Sequence, residues 1–281
     1  MKQYRCRLAT THVDLDGDRL ALSGLEAMVR QIDAQHIPVG VEHDPRIPPA
    51  GRIASAELVE LTDGDYAVDG VIEVFEAGDR PALETAKGCM PLQLTPSGKF
   101  AVLFDRGFRD EESRALVDAV GTALGVQPRP YIKKSLDPIS VLTIGVGFAL
   151  GAVATGFLRQ LGEDSYATLK GRLAELFARQ TGRREGTSIL SLDVTVEKDG
   201  KRMVIQVLAE NPGKGEIDAL LGDGLAQVDA ISERFFATAE DVPKLVCRLQ
   251  DGRVTPTFGV RRDCVPLSPA DNPSEEGTPP E

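Results

Sequence analysis

Twenty consecutive residues without a charged side chain, Ile139 to Leu158, constrain this chain more than any other feature. They read ISVLTIGVGFALGAVATGFL and lie between Lys133 and Lys134 on one side and Arg159 on the other. As an α-helix the segment would be about 30 Å long, which is the thickness of the hydrocarbon core of a bilayer. The length therefore predicts an apolar helix that either spans a membrane or is buried within the protein.

Four glycines in this segment favour close packing of the predicted helix. Gly147 and Gly151 form a GxxxG step, with Gly145 and Gly156 nearby, and small residues let helix backbones approach closely in lipid. Glycine costs up to about 1 kcal/mol per site in an aqueous helix, so four of them indicate a packing purpose. We predict that these glycines form a membrane-contact or self-association surface, and hence a possible homo-oligomer.

The charges that flank the segment do not choose between a membrane and a buried position. Three basic residues precede it within twenty positions and three follow it within twenty, so the positive-inside rule selects no orientation. A hairpin with the next helix, sealed inside the protein, remains the alternative.

The rest of the chain predicts an α+β fold. Residues 1–127 alternate strand and helix signals, with short strands at Arg5–Thr11 and Arg19–Leu22, and predict a β-rich domain. A hairpin is predicted at Asp63-Gly64, because glycine adopts positive φ at little cost. Residues 128–138 contain three prolines and predict a linker.

Two further blocks and a tail follow the linker. Residues 139–182 predict the apolar helix and then an amphipathic helix with one apolar face: Tyr166, Leu169, Leu173, Leu176 and Phe177. Residues 187–267 have the order ββαββ, which suits a small sheet covered by a helix. Residues 268–281 are rich in Pro, Glu and Ser and predict a disordered tail.

Composition limits the partners and the compartment. The net charge of −11 and a pI near 4.9 repel phosphate backbones, so we predict no nucleic-acid binding. Four cysteines are scattered without a CxxC pair, and acidic residues come before any apolar run at the N-terminus. We expect a cytoplasmic protein, at the inner face of the cell membrane if the apolar segment inserts.

The segment from Ile37 to Glu76 carries the most specific motif. A strand ends in His43-Asp44, Gly51-Arg52 opens the next strand, and the Asp63-Gly64 hairpin follows. This arrangement resembles the core of the phage prohead proteases, which share a fold with the herpesvirus assemblins, and the resemblance covers about residues 5–105. It implies that His43 acts as general base toward a serine on a later strand, since histidine accepts and returns a proton near neutral pH.

The sequence departs from that family where the serine is expected. The corresponding strand falls on residues 92–96, with Ser97 a few positions late and Cys89 a few positions early. Either Ser97 or Cys89 is the nucleophile in a shifted geometry, or the domain keeps the fold without the reaction. Because a base without a nucleophile forms no acyl enzyme, we favour the non-catalytic alternative.

No cofactor or metal is predicted. Residues Asp14 to Asp18 resemble the opening of a calcium loop, but Arg19 stands where that loop has glycine and Leu25 where it has glutamate, which favours a solvated turn. Asn211 to Gly215 lacks the spacing of a phosphate-binding loop.

The combined prediction is a non-catalytic protein, membrane-associated or self-associating, with a protease-like binding domain. The alternatives are an active serine-type endopeptidase and a structural or assembly protein whose apolar hairpin is its core. Neither a protein partner nor a substrate can be identified from the residues.

Overall fold

The computed structural model describes most of the chain. The described residues are 1–13, 19–41, 44–76, 95–96, 98–108, 110–131, 139–181, 186–237 and 242–268. Within them the protein is α+β with two sheets, as predicted, and it divides into two compact units. The smaller unit contains residues 1–41, 47–90 and 260–267, and the larger contains 42–46, 91–259 and 268–281.

The smaller unit is built on an antiparallel sheet with one helix. Its elements are β1 (Lys2–Thr10), α1 (Leu22–Ala34), β2 (Ile37–Val39), β3 (Gly51–Glu60) and β4 (Tyr66–Val74). The strand order is β1-β4-β3-β2, with every neighbouring pair antiparallel. The hairpin predicted at Asp63-Gly64 is confirmed and joins β3 to β4, with Gly64 at a φ of 81°. The predicted strand at Arg19–Leu22 is wrong, because α1 begins at Leu22.

The larger unit is a mixed sheet with helices. Its strands are β5 (Phe100–Phe104), β6 (Arg129–Pro130), β7 (Ser140–Ala149), β8 (Ser188–Lys198), β9 (Lys201–Glu210), β10 (Lys244–Gln250) and β11 (Arg253–Val260). Its helices are α2 (Glu111–Ala123), α3 (Val153–Leu161), α4 (Glu163–Thr181), α5 (Lys214–Leu221) and α6 (Asp223–Ala237). The strands follow the order β11-β10-β9-β8-β7-β5-β6. A last strand, β12 (Pro266–Leu267), belongs to the smaller unit.

This layout differs from the predicted blocks. The predicted ββαββ order of residues 187–267 has two helices in place of one, as β8-β9-α5-α6-β10-β11, and its strands continue the sheet that contains β5 and β7. Strand β8 pairs in parallel with β7 over ten residues, so the apolar segment and the third block share one sheet. The first four residues of the linker expected at 128–138 are described and contain strand β6, which pairs with β5, whereas residues 132–138 and the expected tail after Ser268 lie outside the described residues.

The apolar segment is not a helix along its length. It forms strand β7, a turn at Leu150-Gly151 and helix α3, with Gly151 at a φ of 76°. Strand β7 lies between β5 and β8. On one face its large side chains are buried, and on the other face the backbone at Gly145 and Gly147 is buried while Val141 and Thr143 are half-buried. Strands covered on both faces are near-continuous apolar runs, and length alone does not distinguish such a run from a buried helix. The predicted apolar helix at 139–158 is therefore wrong.

The glycines of β7 are explained by a close chain crossing. The backbone of Thr95 and Pro96 passes over the strand, and a Cβ at Gly147 would overlap the carbonyl oxygens of both residues. A Cβ at Gly145 would come within 2.5 Å of the Thr95 hydroxyl oxygen. The crossing is held by a hydrogen bond from the Gly98 N–H to the Gly147 carbonyl oxygen, at 2.9 Å. Gly145 and Gly147 thus admit a neighbouring segment of the same chain.

The other two glycines also have internal roles. Gly151 makes the turn after β7, and Gly156 lies on α3, where a Cβ would come within 2.7 Å of the Phe148 ring. The four glycines share no helix, so the GxxxG surface predicted for Gly145, Gly147, Gly151 and Gly156 is not formed by these residues.

Helix α3 begins at a contact with α6, and helix α4 follows from its own sequence pattern. The carboxylate of Asp229 on α6 accepts hydrogen bonds from the Val153 and Ala154 N–H groups at 3.0 Å each, and so satisfies the first turn of α3. Helix α4 is the predicted amphipathic helix, and it buries Leu169, Leu173, Leu176 and Phe177.

The transmembrane prediction is wrong. Among the helices of the described residues, none has both the length and the apolar character that crossing a bilayer requires. The glycine- and threonine-containing apolar run that suggested a span is divided between a strand and a nine-residue helix.

Replacing Gly147 with alanine tests the chain crossing. We expect Gly147→Ala to lower the free energy of unfolding by about 1–3 kcal/mol, because the added methyl group has no space beneath Thr95 and Pro96. Gly171→Ala is the matched control: Gly171 lies on α4 with no atom near its Cβ position, so alanine should stabilise by about 0.5–1 kcal/mol. Urea denaturation measures both, and a neutral Gly147→Ala would contradict the crossing.

Candidate functional site

The two faces of the larger sheet differ in character. Leu190, Leu192, Val194 and Val196 of β8 belong to the apolar core that includes the buried residues of α2 to α6. Because side chains alternate along a strand, the intervening residues of β8 point to the opposite face. That face carries Ser191, Asp193 and Thr195 of β8 and Gln206 of β9, and we refer to it as the polar face.

Three side chains of the polar face form a buried hydrogen-bonded cluster. The Ser191 hydroxyl donates to Asp193 Oδ1 at 2.6 Å. The Gln206 Nε2 group donates to the Ser191 oxygen at 2.9 Å and to Asp193 Oδ1 at 3.1 Å. Asp193 and Gln206 are direct cross-strand partners, so the sheet register itself sets this geometry. We refer to Ser191, Asp193 and Gln206 as the acceptor cluster.

Two oxygen atoms of the acceptor cluster have no partner among the described residues. The Gln206 Oε1 atom is buried without a hydrogen bond, and the whole residue is only 7% exposed. The donors that reach Asp193 both bond to Oδ1, which leaves Oδ2 without a hydrogen bond. The amide orientation of Gln206 is set by its two Nε2 bonds, since the reverse orientation would place its oxygen against the Asp193 carboxylate. The cluster therefore presents two acceptors.

Asp193 is held in an environment that disfavours its charge. Burial raises the pKa of Asp193, while the charge of Lys244 and the hydrogen bonds from Ser191 and Gln206 partly offset this rise. Lys244 begins β10 and pairs with Val204 of β9, so it lies near the same end of the sheet. A buried carboxyl group with a raised pKa is a candidate functional residue.

The crossing segment borders the cluster. The Thr95 N–H donates to the Thr195 hydroxyl oxygen at 3.1 Å, and Thr195 lies two residues after Asp193 on the same strand. The chain crossing that requires glycine in β7 therefore also closes one side of the polar face.

The residues predicted for catalysis cannot be placed. His43, Ser97 and Cys89 all lie outside the described residues, so the prediction of a base and a nucleophile stays a prediction. Asp44, the neighbour of His43, is buried and accepts hydrogen bonds from the backbone N–H and the guanidinium of Arg46. Arg46 also bonds Glu210 at 2.7 Å, and Glu210 pairs with Arg248.

The Gly-Arg pair of the same motif has a structural role in the smaller unit. Gly51 is required because a Cβ would overlap the Glu73 carbonyl oxygen. The Arg52 guanidinium binds the Glu73 carboxylate at 2.8 Å and the Asp263 carbonyl oxygen at 3.1 Å. Hydrogen bonds from Arg52 and Gln3 lower the pKa of Glu73 despite its partial burial.

One described cysteine is chemically inert. Cys247 of β10 is fully buried in the core, and burial raises its pKa to about 12. The thiolate is the reactive form of cysteine, so Cys247 is a packing residue.

The sequence contained a signal for the acceptor cluster that we did not use. Residues 188–197 read SILSLDVTVE, and the alternation of Leu and Val was interpreted only as a strand with one apolar face. Polar residues such as Ser191, Asp193 and Thr195 are common on a strand face that is exposed to solvent. What distinguishes it is that all three are buried, and burial of that face depends on tertiary structure.

Comparisons with known proteins give no relative. No protein-family model, no curated protein and no solved structure matches this chain. Function must therefore be inferred from the site itself.

The pH dependence of stability tests the environment of Asp193. A raised carboxyl pKa means that the folded chain keeps this proton to higher pH than the unfolded chain. The contribution of the group to stability is then full below the ordinary Asp pKa of about 3.9 and is lost as pH rises through the raised value. Asp193→Asn keeps an acceptor for Ser191 and Gln206 without the charge, and should stabilise the protein by about 1 kcal/mol at neutral pH.

Urea denaturation at neutral and at acidic pH measures this effect. The gain from Asp193→Asn should shrink as pH falls. The control is Asp69→Asn, because a hydrogen bond from Arg7 lowers the pKa of Asp69 and this variant should give no such gain at neutral pH. A loss of stability in Asp193→Asn that is equal at both pH values would contradict the account.

Proposed function

We propose that this chain is a non-catalytic binding protein, and that its larger unit binds a small neutral group with paired N–H donors, such as a primary carboxamide, at Asp193 and Gln206. The non-catalytic binding function expected from the sequence is kept, but its site moves from the first domain to the polar face. Anchoring by a transmembrane helix is no longer part of the function.

The unpartnered Gln206 oxygen carries this proposal. A buried acceptor without a hydrogen bond costs about 1–3 kcal/mol, and most buried polar atoms in proteins are satisfied. Gln206 is buried beside Asp193, whose charged form is disfavoured because burial raises its pKa. A ligand that donates to both residues would recover this energy, which supports a binding role for the pair.

The charges of the site favour a neutral ligand. The charge of Lys244 partly offsets the burial of the Asp193 carboxyl group, so a neutral donor needs no further counter-charge in the site, whereas a buried anion would need one. The NH₂ group of a primary carboxamide supplies two donors, one for each oxygen of the acceptor pair.

The hydroxyl of the cluster supports binding over nucleophilic chemistry. Ser191 is completely buried, donates a hydrogen bond to Asp193 and accepts a hydrogen bond from Gln206. Its role is to orient the acceptors. Asp193 retains 8% of its surface exposed and Lys244 is half-buried, so a ligand would enter from this end of the cluster.

The proposal includes a reducing compartment, the cytoplasm. Cys6, Cys247 and Cys264 are not joined in disulfides, as expected for a protein that folds among reduced thiols. Self-association and a protein partner stay predictions.

Titration of the folded protein with acetamide tests the proposal. Two-dimensional NMR should show saturable shifts of the Gln206 side-chain amide and of the backbone amides of β8 and β9, with a millimolar dissociation constant typical of a ligand of this size. N,N-dimethylacetamide has the same carbonyl group without an N–H donor and should cause no such shifts. Acetate and methylguanidinium test whether an anion or a cation is preferred.

Two variants complete the test. Gln206→Leu removes both the unpartnered oxygen and binding, and its folding is checked by circular dichroism. Gln180→Leu removes another buried amide, one that donates to Gly107 and Ser113, and should leave the acetamide shifts unchanged. Equal shifts from acetamide and dimethylacetamide, or shifts that persist in Gln206→Leu, would overturn the proposal.

A further inference from the structure

Three possible metal ligands meet at one end of the smaller unit. His12 follows β1, and Asp63 and Asp65 belong to the turn between β3 and β4. His12 Nε2 lies 2.8 Å from Asp63 Oδ2 and 3.5 Å from Asp65 Oδ2. All three ligand atoms lie within 4.8 Å of one another.

The second oxygen of each carboxylate is held by the protein. Asp63 Oδ1 accepts the Asp65 N–H at 3.2 Å. Asp65 Oδ1 accepts the Thr11 hydroxyl at 2.8 Å and the Arg19 guanidinium at 2.6 Å. These bonds turn both Oδ2 atoms toward His12, as outer-shell partners orient ligands in metal sites.

The separations match what a small divalent ion requires. Ligand atoms at about 2.0–2.2 Å from an ion lie about 2.8–3.6 Å apart when they occupy neighbouring coordination positions. The two measured distances from His12, 2.8 and 3.5 Å, fall in this range. An ion could therefore be bound by small side-chain rotations, with the imidazole giving up its Nε2 proton to solvent.

Charge at the cluster and space beside Asp65 favour an ion. Asp63 and Asp65 bring two carboxylates together beside His12, and the Arg19 guanidinium pairs with Asp65 at 2.6 Å. A cleft of about 400 Å³, lined by Thr11, Arg19, Leu22, Asp65 and Tyr66, opens beside Asp65. Of the three proposed ligands the cleft is lined by Asp65, so it offers space for water molecules on that side of the cluster.

We propose that His12, Asp63 and Asp65 bind one divalent transition-metal ion, Zn²⁺ or Mn²⁺. One imidazole and two carboxylates form a mixed nitrogen and oxygen set, which suits these ions better than the oxygen-only preference of Ca²⁺ and Mg²⁺. The site lies in the smaller unit and is independent of the acceptor cluster.

Isothermal titration calorimetry of the full chain, after treatment with a chelator, tests the proposal. Zn²⁺ or Mn²⁺ should bind with a stoichiometry of one, and Ca²⁺ and Mg²⁺ should bind at least tenfold more weakly. His12→Gln, Asp63→Asn and Asp65→Asn should each weaken binding by about tenfold or more. The metal should also raise the melting temperature of the wild-type protein and not that of these variants.

Asp69→Asn is the matched control, because Asp69 is a carboxylate of the same sheet that pairs with Arg7. Its affinity for the metal should equal that of the wild type. The proposal is overturned if neither Zn²⁺ nor Mn²⁺ binds, or if a site of unit stoichiometry persists in all three ligand variants, each shown to be folded by circular dichroism.

Discussion

The larger unit depends on the burial of strand β7 between β5 and β8. This strand is the first half of the uncharged run, and it pairs in parallel with β8 over ten residues. Its glycines let Thr95 and Pro96 pass directly over the sheet, so one face packs on the helices and the other on a segment of the same chain. A side chain at Gly147 would separate these layers, and for this reason the glycines of the strand are a packing requirement.

The acceptor cluster is a consequence of this arrangement. Gly145 and Gly147 of β7 pair with Asp193 and Thr195 of β8, so the crossing at Thr95 borders the polar face, whose buried residues must satisfy one another. The Ser191 hydroxyl and the Gln206 amide both donate hydrogen bonds to Oδ1 of Asp193, and neither donates to Oδ2. The Gln206 Oε1 atom stays buried without a hydrogen bond among the described residues, and a ligand that donates to it would offset this cost. The proposed metal site differs in kind, because its residues are in turns at the edge of the smaller sheet and half-exposed.

Much of the local structure could be predicted from the sequence. Helix α4, the hairpin at Asp63-Gly64 and the strand and helix order after residue 187 follow from periodicity and turn residues. The apolar run could not be assigned, because the residues that alternate with its large apolar side chains are Thr143, Gly145 and Gly147, which give no charged face to mark a strand, and because its length equals that of a span. The acceptor cluster could not be predicted, because the burial of Asp193 is a property of the tertiary structure, in which segments as distant as Thr95 and Thr195 meet without a local pattern. His12 and Asp63 are fifty-one positions apart, and their pairing depends on the register of β1 and β4, which the sequence does not show.

Amide hydrogen exchange of residues 140–149 in aqueous buffer tests the central claim most directly. If β7 is sealed between β5 and β8, its amides should exchange as slowly as those of β8, at the rate of global unfolding. Fast exchange of these amides while β8 stays protected, or protection that appears only when lipid vesicles are added, would contradict the burial of β7 and every inference drawn from the polar face.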